Sequence, residues 1–524
     1  MTVKTLVKPS EYHDSVTLMW VARELAKLTG VTDAAVVMGT EANQAILRQA
    51  GLLTSEAEAA SANDLVIAVS LADGQGEQVL EEAERLLQKK RQTVEVGTFR
   101  PRTLRGAMKA APGANVAVIS VAGQYAAGEA WDALQRGLHV LLFSDNVSLE
   151  DEIRLKRYAR DHGLLLMGPG AGTTLLNGVA LGFANVVPQG PVGIVSAAGT
   201  GLQEVSILLA KYGVGITQGL GVGGRDLQEA VGGIMMVEAL KALQADPETR
   251  VIVLVSKPPA EVVARKVLGQ VAASAKPTVV CFLGGDPSLM ESVTNAFSAS
   301  TLQAAAWLGA QAADPGLAET VSRAEANRPQ QIQIAKDLRK GLAPRQCYLR
   351  GLFSGGTLCY EAQVIWRGML TDAVRSNAPL AHEDRLEDSA RSEGHAAVDL
   401  GEEEFTVGRP HPMIDNDLRI RRILQEAQDP EVAVLMLDVV LGYGAHPDPA
   451  SELAPAVARA RQLARELGGN DLLVVGSVTG TEGDPQGLGR QVRALEAAGV
   501  VVCDSNASAA LLCGLLVGGS SETM

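Results

Sequence analysis

The chain has 524 residues, too many for one hydrophobic core, which predicts three or four domains. With 47% apolar and 20% charged residues it reads as a folded, water-soluble protein. A net charge of −14 argues against nucleic acid or an anionic membrane as the main partner, while small anions can still be held by local backbone N–H groups.

In chain order, residues 1–95 alternate short β-rich runs (Thr5–Val7, Ala34–Val37, Leu65–Val69) with helical patterns (Val16–Leu28, Glu41–Gln49, Glu77–Lys89) and predict a small α+β or α/β domain. The stretch 96–106 reads as a linker. Residues 107–188 follow with the short apolar strands Val116–Ser120, Val140–Phe143 and Leu164–Met167, each paired with a helical pattern, as in a parallel sheet covered on both faces. The third of these ends in M-G-P-G-A-G-T-T at 167–174, a turn at the carboxyl edge where such sheets bind ligands. A further α/β unit spans 189–330, with strands at Val192–Val195, Gly215–Leu220, Val251–Val255 and Thr278–Leu283. The last unit spans 345–520, with strands from Tyr348, at Val432–Val440, Leu472–Val475 and Val500–Cys503. Its polar stretch from 375 to 398 is expected to be an exposed loop.

Two segments look like copies of one device: V-S-A-A-G-T-G-L-Q-E at 195–204 and F-S-G-G-T-L-C-Y-E at 353–361. Each follows an apolar run, turns through small residues and enters a helical pattern, so backbone N–H groups and a helix dipole converge on one spot, as in phosphate sites. Ser196, Gly199, Thr200 and Gly201, with Ser354, Gly355, Gly356 and Thr357, are the expected phosphate-binding residues. Glu204 and Glu361 lie four residues after the threonines, on the same face of the first turn, and are the candidate catalytic carboxylates. The plainer reading of each segment is a helix cap, with Thr200 and Gln203 forming a capping box.

Other candidates sit at strand ends. Gly223, Gly224 and Arg225 belong to G-L-G-V-G-G-R-D, which lacks dinucleotide spacing but could clamp a carboxylate or phosphate, or form a glycine turn with an exposed ion pair. Lys257 in S-K-P-P-A-E is aimed at the sheet edge or solvated. Arg409 and His411 in G-R-P-H-P-M-I-D are held by prolines; His411 is either a general acid/base or a plain turn histidine. Asp438 and His446 flank another strand end, and Cys359 is either activated by its helix N-terminus or simply packed. No metal-ligand spacing is present. The five cysteines form no C-x-x-C pair, the first residues carry no signal-peptide core, and no apolar run has membrane-span length, so a cytoplasmic setting is expected.

The runs Asn115–Asn185 with M-G-P-x-x-G, G-I-V-S-A-A-G-T-G-L-Q-E with G-V-G-G-R-D, and F-T-V-G-R-P-H-P with E-A-A-G-V-V-V together resemble the succinyl-CoA synthetase-like proteins, and within them the FdrA family. The resemblance implies an α/β, multi-domain fold: a small N-terminal α+β domain, a Rossmann-like CoA-binding-type domain, and two flavodoxin-like ligase domains of α-subunit and β-subunit type. It also implies that one helix from each half points at a shared phosphate. The G-H-A-G phosphohistidine motif is replaced, since Leu283 is followed by G-G-D-P-S; neither an ATP-grasp module nor the glycine-rich CoA loop is found. Gly170 and Ala171 stand where FdrA relatives have Asp and Cys. The implied function is a subunit of a carbamoyl- or acyl-transferase, with phosphate or carbamoyl phosphate as ligand, a small acceptor such as oxamate in allantoin catabolism, and CoA or nucleotide disfavoured. The alternatives are an NDP-forming acyl-CoA ligase that borrows an ATP-grasp partner, and a non-catalytic scaffold or sensor. Homo-oligomerisation or separate partner subunits are expected in each case.

Overall fold

The computed structural model describes residues 2–518 except 12, 14, 27, 41–42, 45–46, 49, 72–75, 93–100, 102, 122, 292, 318–327, 407–409 and 469–470. The chain divides into two compact units, Met1–Ala110 with Glu402–His411, and Ala111–Gly401 with Pro412–Met524. No helix among the described residues is long and apolar enough to cross a membrane.

The first unit is built on a three-stranded antiparallel sheet in the order β1-β3-β2, from β1 (Thr2–Lys8), β2 (Val31–Met38) and β3 (Leu65–Leu71). β3 is central and buried throughout, so it reads as an uninterrupted apolar run, L-V-I-A-V-S-L. Leu65, Ile67 and Val69 pack with Leu18, Val21 and Leu25 of the helix Ser15–Ala26, while Val66 and Ala68 join Leu47, Leu52 and Ala57 on the other face. Part of the expected Glu41–Gln49 helix and the start of the expected linker lie outside the described residues; the linker's last residues open a short helix, Leu104–Ala110.

The second unit holds three sheets. The smallest is parallel, β4 (Val116–Ile119), β5 (His139–Leu142) and β6 (Leu166–Met167), with helices Gly123–Gln135 and Leu149–Asp161. The seven-stranded sheet comprises β7 (Thr173–Leu176), β8 (Val179–Gly182), β9 (Gln189–Ser196), β10 (Ile216–Gly221), β11 (Val251–Ser256), β12 (Thr278–Phe282) and β13 (Ala296–Ser298). Its order is β13-β12-β11-β9-β10-β7-β8, parallel except for the β7-β8 hairpin, which the hydrophobic pattern did not announce. The six-stranded sheet is all parallel in the order β15-β16-β14-β17-β18-β19, from β14 (Tyr348–Phe353), β15 (Val374–Ser376), β16 (His395–Asp399), β17 (Val432–Val440), β18 (Leu473–Thr479) and β19 (Val500–Cys503).

The 375–398 stretch is the exposed loop expected of its polarity in its middle, where most residues from 382 to 393 are exposed, but its ends enter the sheet. Ser376 and Asn377 are buried, β15 pairs with β16, and Leu386 is in contact with the interior. Some of its polar groups are met by one helix, Asp417–Glu426: Arg422 donates to the Ser389 carbonyl and the Ser392 hydroxyl, and Gln425 to the Ala390 carbonyl, while Asn377 exchanges hydrogen bonds with the Asp399 backbone. At the buried ends of the stretch polarity signals hydrogen-bonded packing, and in its middle it signals solvent.

The two large sheets share one hydrophobic core. Helices Gly199–Lys211 and Leu302–Ala313 cover the first sheet, Gly356–Arg367 and Asn506–Val517 cover the second, and the pairs pack on one another. Nine consecutive residues of the Gly199 helix, Gly201 to Leu209, are buried, the polar Gln203, Glu204 and Ser206 among them, so the helix is enclosed by other elements on every side.

Candidate functional site

The first turn leaves β9 at Ser196. Its hydroxyl closes the turn on itself, donating to the Ala198 carbonyl at 2.7 Å and accepting from the Ala198 N–H at 3.0 Å. Ala198 is the N-cap of the Gly199 helix and makes no side-chain cap bond, so Thr200 lies inside the first helical turn and does not open a capping box. The second turn leaves β14 at Phe353, with Gly355 as N-cap of the Gly356 helix. The first three N–H groups of each helix, at Gly199–Gly201 and Gly356–Leu358, have no intrahelical partner.

The two turns interlock. A Cβ on Gly201 would lie 3.0 Å from Thr357 Cγ2, and a Cβ on Gly355 would lie 2.9 Å from Thr200 Cγ2. Each threonine therefore rests in the glycine notch of the other turn, and both helix N-termini lie side by side. Lys257, two residues past the side chain of Val255 that also touches Gly201, places its ammonium 5.3 Å from the Tyr360 ring on the second helix.

Glu204 and Glu361 are buried and point away from these openings. Glu204 accepts from the Thr479 hydroxyl at 2.6 Å and from the Asn506 N–H at 3.0 Å. Glu361 accepts from the Leu302 N–H at 2.6 Å and from Asn506 Nδ2 at 2.7 Å. Asn506 and Leu302 are the first residues of their helices, so each glutamate caps a helix of the other half. Burial pushes the Glu361 carboxyl up to about 7, against the hydrogen bonds from Asn506 and Leu302.

The second turn already holds an anion. Asp438, fully buried at the edge of β17, accepts from the N–H groups of Ser354 (2.7 Å) and Gly355 (2.8 Å) and from the Ser354 hydroxyl (3.0 Å). Arg419 pairs with it at 3.1 Å, and burial lowers the guanidinium's pKa while Asp438 opposes that shift. A Cβ on Gly356 would collide with the buried carboxylate of Asp399, at the end of β16. Asp399 went unnoticed in the sequence, although an acid closing the apolar run H-A-A-V-D marks the carboxyl edge of a parallel strand.

The remaining candidates are distributed differently. Gly223, at φ +86°, lies against the Gly168 and Pro169 backbone, and Gly224 sits beside the Ala197 carbonyl, so this loop buttresses the first turn. Arg225 bonds Glu152 at 2.8 Å and the Val147 carbonyl at 2.7 Å. Behind it, buried Lys156 binds Glu152 and Asp226, each at 2.8 Å, and Asp226 accepts from Met235 and Met236 at the start of the helix Ile234–Ala245. The G-G-R-D motif thus ties the small parallel sheet to the large one. His446 accepts from the Asp448 N–H through Nδ1 and faces Glu452 through Nε2 at 3.3 Å. Cys359 is buried and its thiol is pushed well up by desolvation, which leaves it packed and unreactive. Arg409 lies outside the described residues; His411 is half-buried in the Glu402–His411 segment of the first unit.

Three family models match the chain: an AllF heavy metal-associated domain at residues 1–101, a CoA binding domain at 188–284 and a CoA-ligase domain at 352–516. The protein YahF of Escherichia coli, itself uncharacterized, is 44% identical over 98% of both chains. The α subunit of a Staphylococcus epidermidis succinate–CoA ligase (ADP-forming) is 30% identical over 28% of this chain and 48% of its own length. A Korarchaeum cryptofilum acetyl-coenzyme A synthetase overlays 77% of this chain and 82% of its own at 17% identity, with a TM-score of 0.31, too low to support an argument. The residues at 1–101 do not fit a heavy metal. Soft metals want thiolates, the first cysteine is Cys281, and among the described residues no group of three His, Cys, Asp or Glu could hold an ion.

Proposed function

Since the chain belongs to the family of YahF and carries a succinyl-CoA synthetase-like acyl-CoA ligase scaffold, we propose that it transfers an acyl group between phosphate and a nucleophilic acceptor. The observation that carries this reading is the interlock of Thr200 with Gly355 and of Thr357 with Gly201, which sets two helix N-termini side by side, with Lys257 over the Tyr360 ring of the second helix. Helix N–H groups and an ammonium favour phosphate and stabilise its charge as it leaves.

In the direction of transfer, the acceptor's lone pair attacks the acyl carbon of an acyl phosphate. The bond from that carbon to the phosphate oxygen breaks, phosphate departs with the electron pair, and the acceptor's proton passes to phosphate or water. Thr200, Thr357 and the open N–H groups would orient the phosphate, with Lys257 countering its charge. Glu204 and Glu361 would act as positioning residues, since their oxygens hold the Asn506 and Leu302 helices and so fix both turns.

The two matched domains favour a CoA thiol as acceptor, with the nucleotide module on a separate polypeptide. A second reading, carbamoyl transfer to a small acceptor such as oxamate, is favoured by the turn after β12. There Gly284-Gly285-Asp286 replaces the G-H-A-G histidine, and Asp286 caps a short 3-10 helix, so direct transfer from phosphate needs no histidine relay.

The test is thermal: inorganic phosphate, acetyl phosphate and carbamoyl phosphate at matched ionic strength should each raise the melting temperature. Absence of any rise would sink both readings. Thioester formation from acetyl phosphate and CoA, against carbamoyl transfer to oxamate, then separates them.

A further inference from the structure

We propose that Asp438 is the resident anion of the second turn and restricts the paired turns to a single exogenous phosphate, held at the first. This rests on the reading of the turns as a phosphate site. The argument is one of occupancy and charge. A phosphate entering the second turn would compete for the N–H groups of Ser354 and Gly355 with a carboxylate that already accepts from both and from the Ser354 hydroxyl. That carboxylate is fully buried, and its charge is matched by buried Arg419, so the Ser354 and Gly355 amides call for no further anion. Asp399 adds a second buried carboxylate against Gly356, the first residue of the helix.

The first turn is built oppositely. In the strand registers, Leu254 opposes Val195 as Leu437 opposes Leu352, which aligns Val255 with Asp438 and Lys257 with Val440. Where the second half carries a carboxylate, the first carries an apolar side chain packed on Gly201, and the Val255 carbonyl accepts the Ala197 N–H. Where the second half carries Val440, the first carries the ammonium of Lys257. One strand end therefore supplies an anion and the other a cation, and the duplicated turns hold different partners: Asp438 in one, phosphate in the other.

Asp438→Asn keeps the shape of the side chain, removes one acceptor and leaves the Arg419 charge unopposed. Equilibrium dialysis with radiolabelled inorganic phosphate should give one phosphate per wild-type chain and two per variant chain, the second lost again in Asp438→Asn with Arg419→Met. If the single variant does not fold in chloride, refolding in phosphate but not in chloride of equal ionic strength supports the same conclusion. Equal stoichiometry in wild type and variant, or no recovery in phosphate, overturns it. A wild type that binds none beside a variant that binds one would remove the transfer reading and the first-turn phosphate with it, and support only the assignment of Asp438 as the resident anion of the second turn.

Discussion

Glu361 and Leu302 come from opposite halves of the second unit, and the carboxylate of one accepts the first helical amide of the other at 2.6 Å. Glu204 does the same for Asn506, so the bracing is crossed. Glu361 is also the group whose protonation should be felt in stability. Its carboxyl titrates near 7 when folded and near the ordinary 4.5 when unfolded. The native state therefore binds the extra proton between those values, and this group's contribution is present at pH 4.5 and lost as pH rises through 7. Urea denaturation of wild type should show that fall, and Glu361→Gln should flatten it; an unchanged slope would assign the pH dependence elsewhere.

Gly201 is required because Thr357 fills the space a Cβ would take. Gly201→Ala should cost about 1–3 kcal/mol by overpacking. Thr357→Ser, which deletes the touching methyl, should recover part of that loss, although Val255 Cγ1 also lies 3.0 Å away. A chemical-denaturation double-mutant cycle reads the coupling. Strict additivity would mean the turns do not interlock in solution.

Lys156 bridges Glu152 and Asp226, both at 0% side-chain exposure, while Arg225 meets only Glu152. Lys156→Met should destabilise the protein by about 3–5 kcal/mol, because it strands buried carboxylates. Lys241→Met, an exposed control paired with Glu238, should change little.

Lys257 is half-exposed and lies near the second helix through Tyr360. Lys257→Met should weaken phosphate binding about tenfold, equivalent to about 1.4 kcal/mol, with the ligand-free melting temperature nearly unchanged. Isothermal titration with phosphate checks the first and thermal unfolding the second. Thr200→Ala with Thr357→Ala should abolish transfer by the assembled enzyme; full retention would mark the chain as a scaffold.

The paired Gly-Thr-x-x-x-Glu spacing, the sheet edges and the parallel strands were legible because they are local patterns. The partners of the glutamates were not. Spacing puts Thr200 and Glu204 on one helical face, but that face is sandwiched, and what it meets, Thr479 and Asn506, lies far along the chain. The hold of Asp438 on Ser354 is set by the pairing of β14 with β17, again a long-range relation. Arg225 could be read as a substrate clamp or as an exposed ion pair after a glycine turn, and only its partner Glu152, on the helix Leu149–Asp161, shows that the ion pair forms. The polar 375–398 stretch was legible as an exposed loop in its middle but not at its ends, where β15 pairs with β16 and Asn377 binds the Asp399 carbonyl.

The common core and the crossed capping tie the two large sheets together by contacts that do not depend on the continuity of the peptide between them. Each half leaves one helix-end amide without its carboxylate acceptor when the other is absent, Leu302 in the first and Asn506 in the second, so neither is a self-sufficient building block. Produced as two separate polypeptides divided between Ala313 and Tyr348, the halves should find each other and rebuild the same joint. The fused chain is then one way of guaranteeing equal amounts of two subunits that need one another.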